Sequence, residues 1–209
     1  MKLISVNKSL AESIKISGNM VSTAINKTPQ DKRIWLRKLN LLGEEQSDLT
    51  VHGGEFQAVY SYPFEHYAHW QQVLGNESLP YGTFGENFTV SGLLEESVYV
   101  GEIFKVGGAV LQSTMPLIPC FKLANKHVNA DIIKDFLWSG HSGFYHKVIE
   151  EGEVGAGDTI TRLEHDEQSI SIRAALGLYK LKEGNAAALV HALKVKSLPP
   201  LLAKAFSKR

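Results

Sequence analysis

The chain has a single cysteine, Cys120, among its 209 residues. One thiol cannot close an internal disulfide, and it excludes any zinc or iron–sulfur site built from a cysteine cluster. With no disulfide framework, a reducing compartment is expected, and hence the cytoplasm. Long apolar runs are missing too. No stretch reaches the roughly 18 apolar residues a membrane span needs. Met1 to Met20 breaks its short apolar pairs with Lys8, Glu12 and Lys15, so no secretory signal is expected there. Net charge is also absent, with Lys+Arg at 22 and Asp+Glu at 22. That leaves no electrostatic footprint for nucleic acid. The basic tail residues Lys194, Lys196, Lys204, Lys208 and Arg209 read as a solvated helix face. There is no P-loop, no dinucleotide-binding glycine fingerprint, no His-Glu-x-x-His and no Gly-x-Ser-x-Gly.

What remains is a chain of single-core size with a 44% hydrophobic share. Glycines and prolines recur at short intervals from Gly43 to Gly157, with short strand-like runs between them, as in a β-rich barrel. Ile103–Val106 and Ala109–Gln112 flank Gly107-Gly108, which predicts a hairpin with two positive φ angles. Gln57–Tyr62 predicts a strand, and Val148–Val154 with Thr159–Leu163 predict a closing pair. A helix is expected between Pro63 and Gly75, with Tyr67, Trp70 and Leu74 on one face. A second is expected over Asp131–Trp138. From Glu164 the character changes to Ala, Leu and Lys. Helical patches at Ser171–Leu178, Asn185–Leu193 and Pro199–Phe206 suggest a division into residues 1–163 and a small helical appendage, 164–209.

Cys120 follows Pro116 and Pro119, which forbid a regular helix and disfavour a central strand there, so a stiff loop is expected. Lys122 lies two residues on, and a cation near sulfur favours reactivity. Against this, a lone cysteine is often a small buried hydrophobe. His52-Gly53-Gly54, after Asp48, could bring backbone amides to an anion, or could be a plain turn. Gly85-Glu86-Asn87 could hold a heterocycle edge with its acceptor and amide, or could equally be a turn. His66 and His69 have a chelating spacing but no third ligand, which points to a structural role.

Several stretches, taken in order, resemble the MOSC domain family and within it the YiiM-type branch associated with resistance to N-hydroxylated purines. They are Thr23-Ala-Ile-Asn-Lys27, Asp48-Leu-Thr-Val-His-Gly-Gly54, Ala58-Val-Tyr-Ser-Tyr-Pro63, Glu65-His-Tyr67 with Trp70, Phe84-Gly-Glu-Asn-Phe-Thr-Val90, Pro119-Cys-Phe-Lys-Leu123 and Gly152-Glu-Val-Gly-Ala-Gly157. The resemblance implies a mainly β, α+β fold: a MOSC-type β-barrel with peripheral helices and a small C-terminal three-helix domain. It implies a molybdenum cofactor (molybdopterin), with Cys120 as the metal ligand. Lys27, His52, Gly53, Gly54, Gly85, Glu86, Asn87 and Lys122 would line the cleft, and Cys120, Lys122 and Asp48 would be catalytic. The implied activity is reduction of N-hydroxylated bases or related N–O compounds, serving detoxification. An external electron-donor protein would be needed, no nucleic acid or membrane is implied, and a homodimer is left open. The same residues would serve a non-catalytic carrier of cofactor or sulfur. A metal-free thiol enzyme would instead need a histidine beside Cys120, with His52, His127, His141 and His146 as candidates. Two positions depart from the branch. Met115-Pro116-Leu117 stands where Gln-Pro-Arg is usual, and His141 stands where an arginine is usual.

Overall fold

The computed structural model describes residues 1–16, 18–45 and 53–209. In chain order the elements are β1 (Lys2–Lys8), β2 (Glu12–Ile16), β3 (Asn19–Thr23), β4 (Thr28–Pro29), β5 (Ile34–Leu36), β6 (Val59–Pro63), α1 (Tyr67–Leu74), β7 (Phe88–Ser91), β8 (Ile103–Val106), β9 (Ala109–Pro116), α2 (Phe121–His127), α3 (Ile132–Ser139), β10 (Phe144–Glu150), β11 (Gly152–Val154), β12 (Ile160–Glu164), α4 (Ile172–Leu176), α5 (Ala186–Leu193) and α6 (Pro200–Phe206). Eight strands form one sheet in the order β12-β8-β9-β10-β6-β7-β1-β4. All its pairs are antiparallel except β6 with β7.

The expected closed barrel is corrected. Among the described residues no ladder of strands closes the sheet. It curls until β1 meets the chain just before β12, at a single bridge between Lys2 and Thr159. Backbone bonds from Leu3 N to Asp158 O (2.9 Å) and Ile160 N to Met1 O (3.0 Å) hold that seam. Short strands and frequent turns are shared by open and closed sheets. Closure depends on whether the two ends pair, which spacing along the chain does not encode.

Two further expectations change. Val148–Val154 and Thr159–Leu163 do not pair with each other: β11 pairs with β5, and β12 with β8. In the β8–β9 hairpin only Gly107 has a positive φ (+55°). Packing demands a glycine at Gly152, across from Gly108, where a Cβ would sit 2.3 Å from the Gly108 carbonyl carbon, while a Cβ on Gly108 itself would meet Glu153 N at 3.2 Å.

β6 shows why the core has two parts. It is buried along its whole length, between β10 and β7. Its alternate residues therefore face two different clusters. Val59 joins a core with Leu3, Phe104, Leu111 and Phe144. Tyr60 and Tyr62 join an aromatic cluster with Tyr67, Trp70, Phe84 and Phe136. Trp70 of α1 stacks on Phe136 of α3 at 4.7 Å, so both helices expected from sequence pack on this second face. The left-handed Gly75 and Gly140 end them. The three tail helices form where expected, and Ser171 and Asn185 cap two of them by accepting from Ala174 N (3.1 Å) and Ala188 N (3.0 Å). Their apolar residues Ile172, Ala175, Leu202 and Phe206 share the first core. No helix among the described residues is long and apolar enough to cross a membrane.

His146 on β10 is buried in that first core, with Nε2 2.8 Å from Ser61 Oγ and Nδ1 without a partner among the described residues. Burial pushes its pKa down to about 3. The unfolded chain therefore binds the extra proton first. Stability contributed by the neutral ring is complete above the unfolded pKa of about 6.5 and is lost as pH falls from there toward the folded value. Between pH 7 and 5 the wild-type chain should lose about 2 kcal/mol more than His146→Gln. Urea midpoints at the two pH values check this, and equal losses in both chains would contradict it.

Candidate functional site

Cys120 sits at the junction of two elements. β9 runs on past Gln112 to Pro116, a little further than the prolines suggest, and Pro116 ends it. Leu117, Ile118 and Pro119 then lead to Cys120, which occupies the N-cap position of α2 with extended backbone (φ −119°, ψ 172°). The thiol is half-buried and unpaired with any other cysteine. So the stiff segment is there, but a helix begins directly after it.

α2 is stitched to the opposite wall through its cations. Lys122 is buried, and its Nζ donates to Ser22 O at 2.9 Å. Lys126 donates to Ile25 O and Gly82 O, each at 3.0 Å. Burial holds Lys126 down to a pKa of about 8. These bonds leave a cavity of ≈ 130 Å³ between α2, the chain after β3 and the loop before β7. Cys120 and Lys122 lie on one side; Lys27, Glu44 and Asn87 also line it. Tyr60, Phe84, Leu117 and Tyr145 supply apolar and aromatic surface. The Tyr60 ring is fixed from behind, since its hydroxyl donates to Ser142 O at 2.8 Å. Tyr145 feels the Cys120 sulfur: removal from water pushes its phenol pKa up, and Cys120 adds to the shift.

The glycine loop before β7 approaches the chain after β3 closely. Gly85 has φ +80°, and a Cβ there would meet Ile25 Cγ1 at 2.9 Å. The loop is held from below by Glu86, which is fully buried. One carboxylate oxygen accepts from Gly82 N (2.9 Å), Thr89 Oγ1 (3.0 Å) and the Tyr67 hydroxyl; the other accepts from Phe84 N (3.0 Å). Burial pushes its pKa up, and the hydrogen bonds oppose that.

Of the residues expected in the cleft, Lys27, Gly85, Asn87, Cys120 and Lys122 share this cavity. Glu86 does not line it; its carboxylate is spent inside the loop. Gly53 and Gly54 do not line it either, although Gly54 (φ +83°) opens the short 3-10 turn that carries Gln57 to the wall. Asp48 and His52 lie outside the described residues. Asn87 is engaged rather than open. Its Oδ1 accepts from Tyr60 N (3.1 Å), and its Nδ2 donates to Glu44 Oε1 (2.6 Å). Glu44 lines the cavity as well, and pairs with Lys27. Sequence reading did not single it out, and its only signal was an acidic pair after Gly43.

The described histidines lie elsewhere. None lines the cavity among the described residues. His66 pairs with Glu95 at 2.7 Å and stacks on His141 at 3.8 Å, beside His69. Burial and the neighbouring His66 lower the His141 pKa to about 4, so it carries no charge at neutral pH, and among the described residues its Nδ1 has no partner. It packs in an aromatic cluster and does not reproduce an arginine's hydrogen bonds. Nor does any group of three or more His, Cys, Asp or Glu among the described residues suit a metal ion.

The MOSC domain family model matches residues 48–161. The uncharacterized protein YflK of Bacillus subtilis is 37% identical over 173 residues, which is 83% of this chain and 78% of that protein. The protein YiiM of Escherichia coli is 38% identical over 137 residues, covering 64% of this chain and 61% of YiiM. A protein named reductase from Gibberella moniliformis is 32% identical over 150 residues; that is 70% of this chain but only 27% of the fungal protein. The structure of YiiM from Geobacillus stearothermophilus superposes with a TM-score of 0.82 at 31% identity, covering 99% of this chain and 97% of that one. Family match, relatives and fold agree: the chain belongs to the MOSC domain family and is a homologue of the YiiM proteins.

Proposed function

We propose that the cavity at Cys120 holds a molybdenum cofactor and that the protein reduces N-hydroxylated bases or related N–O compounds. The donor set carries this reading. One thiol faces the cavity, and no described cluster could complete a metal site beside it. A metal held here must bring its other ligands with it, as a pterin dithiolene does, and thiolate sulfur suits such a centre. Lys122 in the wall suits an anionic cofactor group, and Tyr60, Phe84 and Tyr145 suit a flat ring. Family membership and a reductase-named relative point the same way.

When bound, the cofactor supplies a two-electron couple with an oxygen-accepting metal. The chain's own part is to hold the metal through Cys120, to clamp a planar substrate, and to keep water from its apolar side through Leu117 and Phe84. Cleavage of an N-hydroxyl to the amine consumes electrons and protons in equal number and releases water. The electrons come from a separate reductase protein. The metal-free thiol reading has no support at the cavity, where no described histidine stands.

Turnover tests the proposal. Molybdenum-replete protein should convert an N-hydroxylated purine to the amine with reduced viologen as electron source, and protein from tungstate-grown cells should not. Cofactor bound without turnover of any N–O compound offered would favour the carrier role instead.

A further inference from the structure

We infer that Glu44 is the acceptor that holds the N–H donor edge of a flat nitrogen heterocycle in the cavity. The inference rests on the reading of this cleft as a cofactor and base site, and names the residue that recognises the ring.

The sequence suggests Asn87 for that task, but the Asn87 amide is already spent on Tyr60 N, Glu44 Oε1 and Asn7 O. Its work is to position Glu44. The Glu44 side chain is 3% exposed and lines the cavity. Oε1 takes both Lys27 Nζ and Asn87 Nδ2. Among the described residues no hydrogen bond reaches Oε2. A carboxylate has about four acceptor sites. Oε2 is not among the buried atoms left without a partner, so on a side chain that lines the cavity it stays open there, to water or to the N–H of an occupant. Lys27 already balances the charge, so a neutral N–H suffices and no cation is called for. Tyr60, Phe84 and Tyr145 on the same cavity restrict the occupant to a flat shape.

Two occupants offer this chemistry. One is the amino-and-ring-N–H edge of the cofactor's pterin. The other is the exocyclic N–H of an N-hydroxylated purine. Calorimetric titration of the full chain, wild type against Glu44→Gln, separates them. The probes are free pterin, 6-hydroxylaminopurine, and lumazine, in which a carbonyl replaces pterin's amino group. Glu44→Gln keeps the shape and one acceptor oxygen but loses the charge. It should weaken the preferred heterocycle by about tenfold or more. A loss confined to pterin, together with lost discrimination against lumazine, assigns Glu44 to the cofactor. A loss confined to the purine assigns it to the substrate. Unchanged affinities in a folded Glu44→Gln, or a wild-type chain that binds neither ring, overturn the inference. If Glu44→Gln fails to fold, Glu44→Asp, which keeps the charge but draws the oxygen back, should show the same loss, and unchanged affinity there overturns it equally. Molybdenum content is a separate readout. Molybdenum present with Glu44-independent ring binding removes only this inference, while Glu44-dependent purine binding without molybdenum removes only the cofactor reading.

Discussion

Cys120→Ala should lower the molybdenum bound per chain by about tenfold or more while leaving the unfolding midpoint nearly unchanged. The two effects separate because the thiol does little for the fold. It is half-buried, makes no capping bond to α2, and lies outside both apolar cores. Losing it should cost less than about 1 kcal/mol. Its contribution to metal retention is larger, since it is the one thiol and no described cluster offers a substitute. Cys120→Ser sharpens the comparison. A hydroxyl is nearly the same size but a poor partner for a soft centre, so serine should also lose the metal. Elemental analysis beside a urea titration reads both quantities. Retained molybdenum in either variant, or a collapse of stability in both, would count against the ligand role.

Glu86→Ala should destabilise the chain by about 3 kcal/mol or more, and should disturb the cavity with it. The carboxylate gathers four donors, from Tyr67, Gly82, Phe84 and Thr89, in a place that water does not reach. Alanine leaves those donors without partners, which costs more than the lost bonds themselves. Gly85 and Asn87 ride on the same loop, so Glu44 and Lys27 lose their register against it. Glu86→Gln is the finer probe. It keeps the volume but turns an N–H₂ toward groups that themselves donate, so part of the loss should remain. Denaturant midpoints and amide exchange at Gly82 and Phe84 measure the effect. A variant with wild-type stability and slow exchange at both amides would show that the loop stands without Glu86.

Much of this was legible from local pattern. α1 and α3 could be placed because Tyr67 and Trp70, and the glycines after each helix, carry their own period and stop signals. The tail helices could be placed by Ser171, Asn185 and the Pro199-Pro200 pair. α2 could not. It has seven residues, its N-cap is a cysteine, and the prolines before it dominate the local signal. In the site, Lys27, Gly85, Asn87, Cys120 and Lys122 come together in one cavity. The residues that order them were not legible, because their partners are remote in sequence. Lys27 meets Glu44, Lys122 meets Ser22, and Glu86 meets Tyr67. Glu86 and Asn87 are adjacent and both polar, and both are buried. Polarity alone does not say which one faces inward when no side of the chain faces water.

The most direct test of the account is made on the unaltered protein. Wild-type chain, gently purified from a host grown with ample molybdate, is analysed for molybdenum and for pterin released on oxidation. The account predicts that both accompany the protein in matching, near-stoichiometric amounts. Protein that is folded and carries neither would contradict it.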